Sequence, residues 1–459
     1  MTLSNIVSFI DEAAKNGFTL NIPDGRFKSD IHPQLLYQAG LDSDATPILV
    51  FFECHLPDPK QISFDELVTL LKQKLDSFVK NDYVFVYFAN SDSQKPSLPW
   101  LVNTYHDLDR NYKKNLKKLY LVHPSNWTKV LLNMFGTIIS PKFYSKLVYV
   151  ENLEILNSFI PTSAIKIPDS VVSHDSQIEF PEAENMVKMA SLDTIVDGQN
   201  CIFGSHISKV VYKASSSNVY KLPLPVVNWM LTLHKTGTFT KNIFRRSADK
   251  VSMVGLKPQI LSSTDMSSLL SGDIKDDPHF AASLLKIFFL ELVPAPFTKE
   301  MIEQVLQLPV ATSKQQLEDI TVSISSVQKK INFIKQKILP NIIPEYRQLL
   351  LYLFSLLNNI AQNSPDTDMK AFDLAEIWGP ILFKANSSNA IDNSDWLYLT
   401  SVSPAVPSFG TVVHVMIQYF YSIFSQDINQ VLGTDFVRSE ILMDQLILSL
   451  ESQLNVYRE

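Results

Sequence analysis

The chain has 459 residues, of which 46% are apolar and 19% charged, and it carries a net charge of -7 with a pI near 5.8. This length exceeds what one ordinary hydrophobic core supports, so two or three globular domains are expected. The acidic balance argues against a general nucleic-acid binder. The two cysteines, Cys54 and Cys201, lie far apart, which supports neither a disulfide framework nor a cysteine-based zinc site.

The N-terminus and the apolar runs bear on location. Residues 1–5 contain no basic side chain, and Asp11 and Glu12 fall where a signal peptide would be apolar. The longest apolar run, at 349–354, is too short to cross a bilayer. We therefore expect a cytoplasmic protein, and peripheral attachment to membranes stays open.

Strand-like and helix-like patterns alternate through residues 1–169. Runs rich in β-branched and aromatic residues, typical of buried strands, occur at 47–52, 83–88, 118–122 and 146–150. Between the first two runs, leucines recur at helical spacing over 65–75. Strands and helices joined by short links predict an α/β domain with a mostly parallel sheet.

Three segments of this half carry a family resemblance. Lys-Pro-Ser-Leu-Pro-Trp-Leu at 95–101, the segment 109–116 and Leu-Tyr-Leu-Val-His-Pro at 119–124 resemble the BCH domain, a module of the CRAL-TRIO type. The resemblance implies either a hydrophobic ligand held beside the sheet or contacts with proteins, including Rho GTPases. The residues themselves do not separate a pocket lining from an ordinary core.

A basic cluster covers the end of the second of these segments and the residues before the third. Lys113, Lys114 and Lys117 are candidates for contact with acidic lipid headgroups. A solvated turn between a helix and a strand is the simpler explanation of the same lysines, and contact with headgroups stays open as the alternative.

Residues 170–203 have weak periodicity and an excess of acidic side chains interspersed with serine and proline. This composition predicts a solvated, self-repelling linker between domains. The linker acts either as an inert spacer or as a mask over a basic surface of the following domain.

Residues 204–425 show no comparable series of strands. Helical patterns begin near Leu222, Phe280 and Tyr346, and the last two helices are apolar nearly all round, which predicts burial. A fourth helical pattern ends at Gly379-Pro380, a typical stop signal. This half is predicted to be an all-α bundle.

A charged loop follows the first of these helices. Lys-Asn-Ile-Phe-Arg-Arg-Ser-Ala-Asp at 241–249 places Arg245 and Arg246 after an apolar pair, and Gly237 precedes the segment. Guanidinium is always protonated, and its planar fork of donors matches phosphate oxygens. The loop is therefore a candidate site for phosphate chemistry, although an exposed arginine pair on a turn is the simpler alternative.

The loop resembles the arginine-finger loop of RhoGAP domains, usually Gly-Ile-Phe-Arg-Arg-Ser, and further family motifs follow in order. The resemblance implies that Arg245 enters the active site of a Rho-type GTPase. It also implies GTPase contacts for Lys286, Asp373, Arg246 and Pro380.

The family pattern is not complete in this chain. Asn242 replaces the glycine before Ile-Phe, Leu290 replaces an arginine that steadies the loop, and Asp373 replaces an asparagine. Asparagine tolerates left-handed backbone angles, so the first change is mild. The changes at Leu290 and Asp373 weaken the contacts that hold Arg245 in place. At Asp373 an amide is replaced by a carboxylate, which only accepts hydrogen bonds.

The resemblance implies a GTPase-activating protein for a Rho-family GTPase in its GTP form, with no active site or cofactor of its own. The chain has no Gly-x-x-x-x-Gly-Lys-Ser/Thr loop and no His-Glu-x-x-His metal motif. A weakened RhoGAP fold that only binds or scaffolds GTPases is the alternative, and a lipid carrier is a third.

Residues 426–459 are amphipathic over several turns, with apolar positions at helical spacing. This pattern predicts a C-terminal helix. The helix either packs on the bundle or pairs with a second copy of the chain as a homo-oligomer.

Overall fold

The structure is a computed structural model. It describes residues 35–76, 78–89, 98–124, 141–177, 202–213, 220–248, 277–310, 320–383, 400, 402–403, 407–432 and 439–455. The described residues fall into two compact units: a sheet unit, 35–177, and a helical unit, 202–455. Most of the predicted acidic linker, at 178–201, lies outside the described residues.

The sheet unit alternates strands and helices, as the sequence predicts. Its strands are β1 (Leu36–Leu41), β2 (Pro47–Phe52), β3 (Tyr83–Phe88), β4 (Leu116–Val122) and β5 (Leu147–Val150). Its helices are α1 (Phe64–Leu75), α2 (Leu98–Asp107), α3 (Arg110–Lys114), α4 (Pro141–Tyr144), α5 (Leu153–Phe159) and α6 (Asp169–Asp175). Ser63 caps α1 by accepting a hydrogen bond from the backbone N–H of Glu66 at 3.2 Å.

The five strands form one sheet in the order β1-β2-β3-β4-β5. β1 pairs antiparallel with β2, and all the other neighbours pair parallel. The mostly parallel sheet predicted for this half is therefore confirmed. Because each parallel strand follows its neighbour directly in sequence, the intervening helices supply the crossovers that parallel pairing requires.

Alternate residues of β2 enter separate cores on the two faces of the sheet. Ile48 and Val50 belong to a cluster that also contains Leu156 of α5 and Val171 of α6. Leu49 belongs to a second cluster with residues of the opposite helical layer. Successive strand side chains point to opposite faces, so a run that is apolar at every position fits a strand covered on both sides.

The sheet unit continues beyond the boundary predicted at residue 169. Val171 of α6 is fully buried in the core of the sheet. Asp175, at the end of α6, accepts hydrogen bonds from the backbone N–H of Leu153 at 2.9 Å and pairs with the His123 ring at 2.7 Å. The weak periodicity of this segment conceals a short helix, because Val171 alone supplies its anchor.

The helical unit contains the helices α7 (Ile207–Val210), α8 (Leu224–Lys235), α9 (Pro278–Glu291), α10 (Ile302–Val305), α11 (Ile320–Phe333), α12 (Pro344–Gln362), α13 (Ser364–Thr367), α14 (Ala371–Phe383), α15 (Phe409–Gln418), α16 (Phe420–Ile423), α17 (Ser425–Leu432) and α18 (Ser439–Asn455). A small antiparallel ribbon, β6 (Tyr212–Lys213) with β7 (Tyr220–Lys221), precedes α8. The predicted helical class is confirmed, and this ribbon is an addition to it.

The centre of the helical unit is α12. Every residue from 348 to 358 is buried. A helix that is apolar around its whole circumference must lie in the interior, as the sequence predicts. Asn358, one of its polar side chains, donates to the backbone carbonyl of Ile417 at 2.8 Å, which satisfies the amide inside the core.

The Gly379-Pro380 pair does not end its helix, contrary to the sequence prediction. α14 continues to Phe383 with Pro380 inside it. A Cβ atom at Gly379 would lie 3.2 Å from Gly410 Cα and 3.2 Å from the Thr400 carbonyl oxygen. The glycine is therefore needed for the close approach of α14 and α15, so it serves helix packing instead of helix termination.

The C-terminal helix α18 packs on α8 and α12. Gln453 accepts a hydrogen bond from the backbone N–H of Leu222 at 2.9 Å, and Ser449 and Tyr352 share one at 2.9 Å. Across the residues described, no helix is both long and apolar enough to cross a membrane.

Candidate functional site

The candidate site is the loop between the end of α8 and residue 248. A short 3-10 turn, Gly237–Phe239, leads into it. The backbone then takes left-handed conformations at Asn242, with φ 59°, and at Phe244, with φ 68°. Asparagine adopts such angles readily, whereas the phenylalanine is strained by them. The replacement of the family glycine by Asn242 thus preserves the backbone path.

Buried side chains hold this strained loop in place. Ile243 and Phe244 are 0% and 1% exposed, and the Phe244 ring meets that of Trp378 edge-on with centroids 5.3 Å apart. The backbone N–H of Asn242 donates to the Thr367 carbonyl at 2.7 Å. Strained backbone persists only where the surroundings over-determine it, and here the packing of two apolar side chains does so.

Lys286 reaches the same loop from α9. It is 4% exposed, and its Nζ donates to the Phe244 carbonyl oxygen at 3.3 Å. This contact fixes the peptide immediately before Arg245. In this position Lys286 supports the loop that carries Arg245, and its predicted contact with a GTPase stays a prediction.

The guanidinium of Arg245 is held against the protein in the free chain. Its Nη2 donates to the carboxylate of Asp373, and its Nη1 donates to the Asp368 carbonyl oxygen at 3.1 Å. Its Nε is buried without an acceptor among the described residues. The side chain is 10% exposed. The sequence leads us to expect a finger open to a partner, and the structure instead shows a retracted one.

Asp373 causes this retraction. It lies in the first turn of α14, where one carboxylate oxygen pairs with Arg245 and the other accepts from the backbone N–H of Lys370 at 2.9 Å. An anionic side chain is stabilised at a helix N-terminus, and a charge-assisted hydrogen bond is about twice as strong as a neutral one. The aspartate thus occupies the guanidinium from inside the molecule, where an asparagine would offer only a neutral oxygen.

The remaining predicted contact residues are placed differently. Arg246 is half-buried in the loop, and its backbone N–H donates to the Asn242 carbonyl at 3.3 Å. Pro380 is buried inside α14, so its predicted direct contact with a GTPase is not available in this conformation. Leu290, which stands where the family has an arginine, is 7% exposed, and burial of this position suits an apolar residue.

The three lysines of the sheet unit are partly used by the fold. Lys117 forms an ion pair with Asp82 at 2.8 Å, and Lys113 donates to the carbonyl oxygen of Tyr105 at 3.2 Å. Lys114 is exposed. Of the three candidates for headgroup contact, Lys114 is thus the one whose side chain extends into solvent.

Two features near the loop were not found from the sequence. Asp368 follows α13 in a left-handed conformation, with φ 56°, and its carbonyl receives Arg245. Phe239, two residues before Lys241, is 67% exposed beside the loop. Of these two features, only the exposure of Phe239 could have been predicted from the sequence. This residue does not belong to an apolar pattern with the spacing of a helix or a strand.

No cation site accompanies the loop in the described part of the chain. Groups of three or more histidine, cysteine, aspartate or glutamate side chains close enough to hold a metal are absent there.

The fold and loop define a protein in which a divergent CRAL/TRIO domain precedes a RhoGAP domain, and comparison with known proteins agrees. Residues 45–177 match the divergent CRAL/TRIO domain family, and residues 223–387 match the RhoGAP domain family. The chain is 30% identical over 402 residues to Rho GTPase-activating protein 8 of Mus musculus, covering 85% of each chain. It is 28% identical over 359 residues to Rho GTPase-activating protein 1 of Homo sapiens, covering 77% of this chain and 76% of that protein.

A third relative matches a similar share of the chain. Rho GTPase-activating protein 68F of Drosophila melanogaster is 26% identical over 401 residues, which cover 85% of this chain and 77% of the relative. The chain belongs to the Rho GTPase-activating protein family.

Proposed function

We propose that this chain accelerates GTP hydrolysis by a Rho-family GTPase and that Arg245 is the side chain it inserts beside the γ-phosphate. Membership of the family supports the activity. The position of Arg245 in the loop, next to the buried anchor Phe244, supports the role of that residue. In this role the chain is an activator that acts on the active site of its partner.

The observation that carries the proposal is that the loop backbone is fixed while the arginine side chain is held by few bonds. Buried Ile243 and Phe244, together with the Lys286 contact, set the path of the chain. The guanidinium donates to Asp373, to the Asp368 carbonyl and, at 3.5 Å, to Oδ1 of Asn242, while its Nε has no acceptor within the described residues. Delivery to a partner then requires rotation of one side chain and no refolding of the loop.

The guanidinium supplies positive charge where the phosphoryl transition state gathers negative charge. Phosphoryl transfer depends on such electrostatic stabilisation, and an arginine finger supplied in trans raises the rate by about 10³ to 10⁵ in the Ras-type case. That range corresponds to about 4–7 kcal/mol at roughly 1.4 kcal/mol per tenfold. A neutral side chain provides no equivalent charge.

The γ-phosphate must displace Asp373 for this to occur. A phosphate that pairs with the guanidinium through two hydrogen bonds presents more negative charge and more acceptor oxygens than one carboxylate. Replacement of Asp373 by the γ-phosphate is therefore favourable inside a closed interface. The unsatisfied Nε gains an acceptor in the same step. Docking of the partner therefore converts a retracted arginine into an inserted one.

Single-turnover GTP hydrolysis by a panel of Rho-family GTPases tests the proposal. Wild-type chain is expected to accelerate at least one GTPase, and Arg245→Ala is expected to remove about 10³-fold or more of that acceleration. Binding of the GTP-loaded partner, measured separately, should change little. Lys241→Ala is the matched control, because this exposed cation lies in the same loop four residues earlier. Undiminished acceleration by the Arg245 variant contradicts the proposal.

The ion pair of Arg245 with Asp373 and the buried Leu290 favour a second candidate function. In this alternative the chain binds the GTP form of a Rho-family GTPase and leaves hydrolysis at the intrinsic rate. Binding and turnover measured on the same GTPase panel separate the two. Specific binding of the GTP form with no acceleration identifies the binding protein.

A further inference from the structure

A cavity in the helical unit lies outside the site described above. Its volume is 280 Å³, close to the lower limit of about 300 Å³ for small-molecule pockets. Val327 and Lys330 of α11, Thr411 and His414 of α15, and Phe372 of α14 line it. The cavity is large enough for a ligand of several non-hydrogen atoms.

One lysine lines this cavity, and it has no acidic partner among the described residues. Lys330 is 9% exposed, and burial lowers the pKa of its ammonium. In the part of the chain that the structure describes, no carboxylate pairs with it. An unpaired buried charge is unfavourable, because burial removes water from the ion and no partner replaces that water. An anion entering the cavity would offset that cost.

His414, the second basic group of the cavity, carries no charge near neutral pH. Burial, and then the neighbouring charge of Lys330, lower the pKa of His414 to about 4. The imidazole is therefore neutral at pH 7, and among the described residues that line the cavity Lys330 is the one cation. A neutral imidazole can also donate one hydrogen bond to a headgroup.

Most of the surface of the cavity wall is apolar, although Ser403, Thr411 and Tyr419 also line it. The hydroxyl of Thr411 is engaged with the backbone of Ser403, donating to its carbonyl at 2.8 Å and accepting from its N–H at 3.1 Å. Valine side chains and the Phe372 ring supply most of the remaining lining. A cavity with one cation and otherwise apolar walls suits a ligand with one anionic group and a short apolar body.

We propose that this cavity binds a small amphiphilic carboxylate, with the carboxylate on Lys330 and the apolar body against Val327 and Phe372. Carboxylate and ammonium form a charge-assisted hydrogen bond, and burial of the alkyl chain against the apolar wall adds to the affinity with each methylene. The inference concerns a separate site and does not require the loop of Arg245.

Calorimetric titration of the full chain with octanoate tests the inference. Octanoate is expected to bind with a dissociation constant on the order of 0.1 mM, as suits a ligand of about ten non-hydrogen atoms. Octan-1-ol, which has the same tail without the charge, and acetate, which has the charge without the tail, are expected to bind at least about tenfold more weakly.

Three variants assign the binding to Lys330. Lys330→Met removes the charge at similar length and is expected to weaken octanoate binding about tenfold or more. Lys330→Arg keeps the charge and is expected to retain binding. Lys329→Met is the matched control, because Lys329 is the exposed neighbour on the same helix. Melting curves without ligand establish that each variant is folded; replacing an unpaired buried charge with an apolar side chain is expected to leave the fold intact.

Absence of octanoate binding to the wild-type chain overturns the inference. Equal affinity of wild-type chain and the Lys330→Met variant, or equal affinity for octanoate and octan-1-ol, also overturns it, because the cavity would then be a purely apolar void. Loss of binding in the Lys329 control would place the carboxylate elsewhere on α11.

Discussion

Arg245 and Asp373 form an ion pair across 128 residues of sequence, and this pair keeps the candidate finger retracted in the free chain. The carboxylate is itself held by the backbone N–H of Lys370 at 2.9 Å. The pair therefore opposes the function proposed for Arg245, and its strength sets how readily the arginine leaves.

Asp373→Asn is expected to increase acceleration of GTP hydrolysis by about five- to tenfold. The amide keeps an acceptor oxygen but replaces a charge-assisted hydrogen bond with a neutral one, a difference of about 1 kcal/mol. Single-turnover hydrolysis at saturating activator measures the change. Asp366→Asn is the control, because Asp366 is an exposed carboxylate in the same region.

A fall in acceleration on Asp373→Asn would mean that the aspartate aligns Arg245 productively instead of retaining it. No acceleration by either the wild-type chain or the variant would count against the activator function itself. The two failures are therefore distinguishable.

Lys286→Met is expected to lower the acceleration of GTP hydrolysis about tenfold, although Arg245 itself is unchanged. The variant removes the charged donor from the Phe244 carbonyl, which lies at a strained position with φ 68°, so the loop samples other conformations. The same hydrolysis assay measures the loss. Lys329→Met, an exposed helical lysine with the same chemical change, should show no effect.

Gly379→Ala is expected to destabilise the helical unit. Alanine is the better helix former, but its Cβ would lie 3.2 Å from backbone atoms of Gly410 and Thr400, which cannot move as a side chain can. Overpacking of this kind costs about 1–3 kcal/mol, and the melting temperature should fall by about 2–8 °C. Thermal unfolding followed by circular dichroism measures it, and an unchanged or raised melting temperature would mean that α14 and α15 separate without cost.

The helical unit is expected to lose stability as the pH falls below neutral. Burial lowers the pKa of His234 from the ordinary 6.5 to about 4. The unfolded chain then binds a proton before the folded chain does, so this stability is complete above pH 6.5 and is lost as the pH falls toward 4. At pH 5 the loss from this residue is about 2 kcal/mol relative to pH 7.

His234→Gln isolates this contribution. The variant cannot take up a proton, so its stability difference between pH 7 and pH 5 should be smaller than that of the wild-type chain by about 2 kcal/mol. His414 contributes a second, similar loss in both proteins because its pKa is also lowered to about 4. Urea unfolding at the two pH values measures the difference. An identical change in unfolding free energy between pH 7 and pH 5 for the two proteins would show that His234 is solvated in solution.

The strands and the long helices could be predicted because their signals are local. The uninterrupted apolar run of β2 and the long apolar run in the middle of α12 each require burial, and the structure provides it. The loop of Arg245 could be located because its motif is contiguous. Position in a contiguous motif says nothing, however, about which distant side chain the guanidinium meets.

The features that sequence reasoning missed depend on contacts between distant segments. Asp175 resembles a linker residue until His123 is brought beside it. Pro380 resembles a helix stop until the close approach of Gly379 and Gly410 shows why the helix continues. The retraction of Arg245 likewise follows from tertiary structure, because no local pattern pairs it with Asp373.

Two consecutive residues in the first turn of α14 contribute to two different sites, the cavity beside Lys330 and the loop of Arg245. Phe372 faces the cavity beside Lys330, and Asp373 holds Arg245. A helical turn moves as a unit, so a substitution that rotates or unwinds residues 371–374 acts on both places together. Random mutagenesis of this turn should therefore yield variants with paired defects, in carboxylate uptake and in GTP turnover, that substitutions elsewhere produce singly.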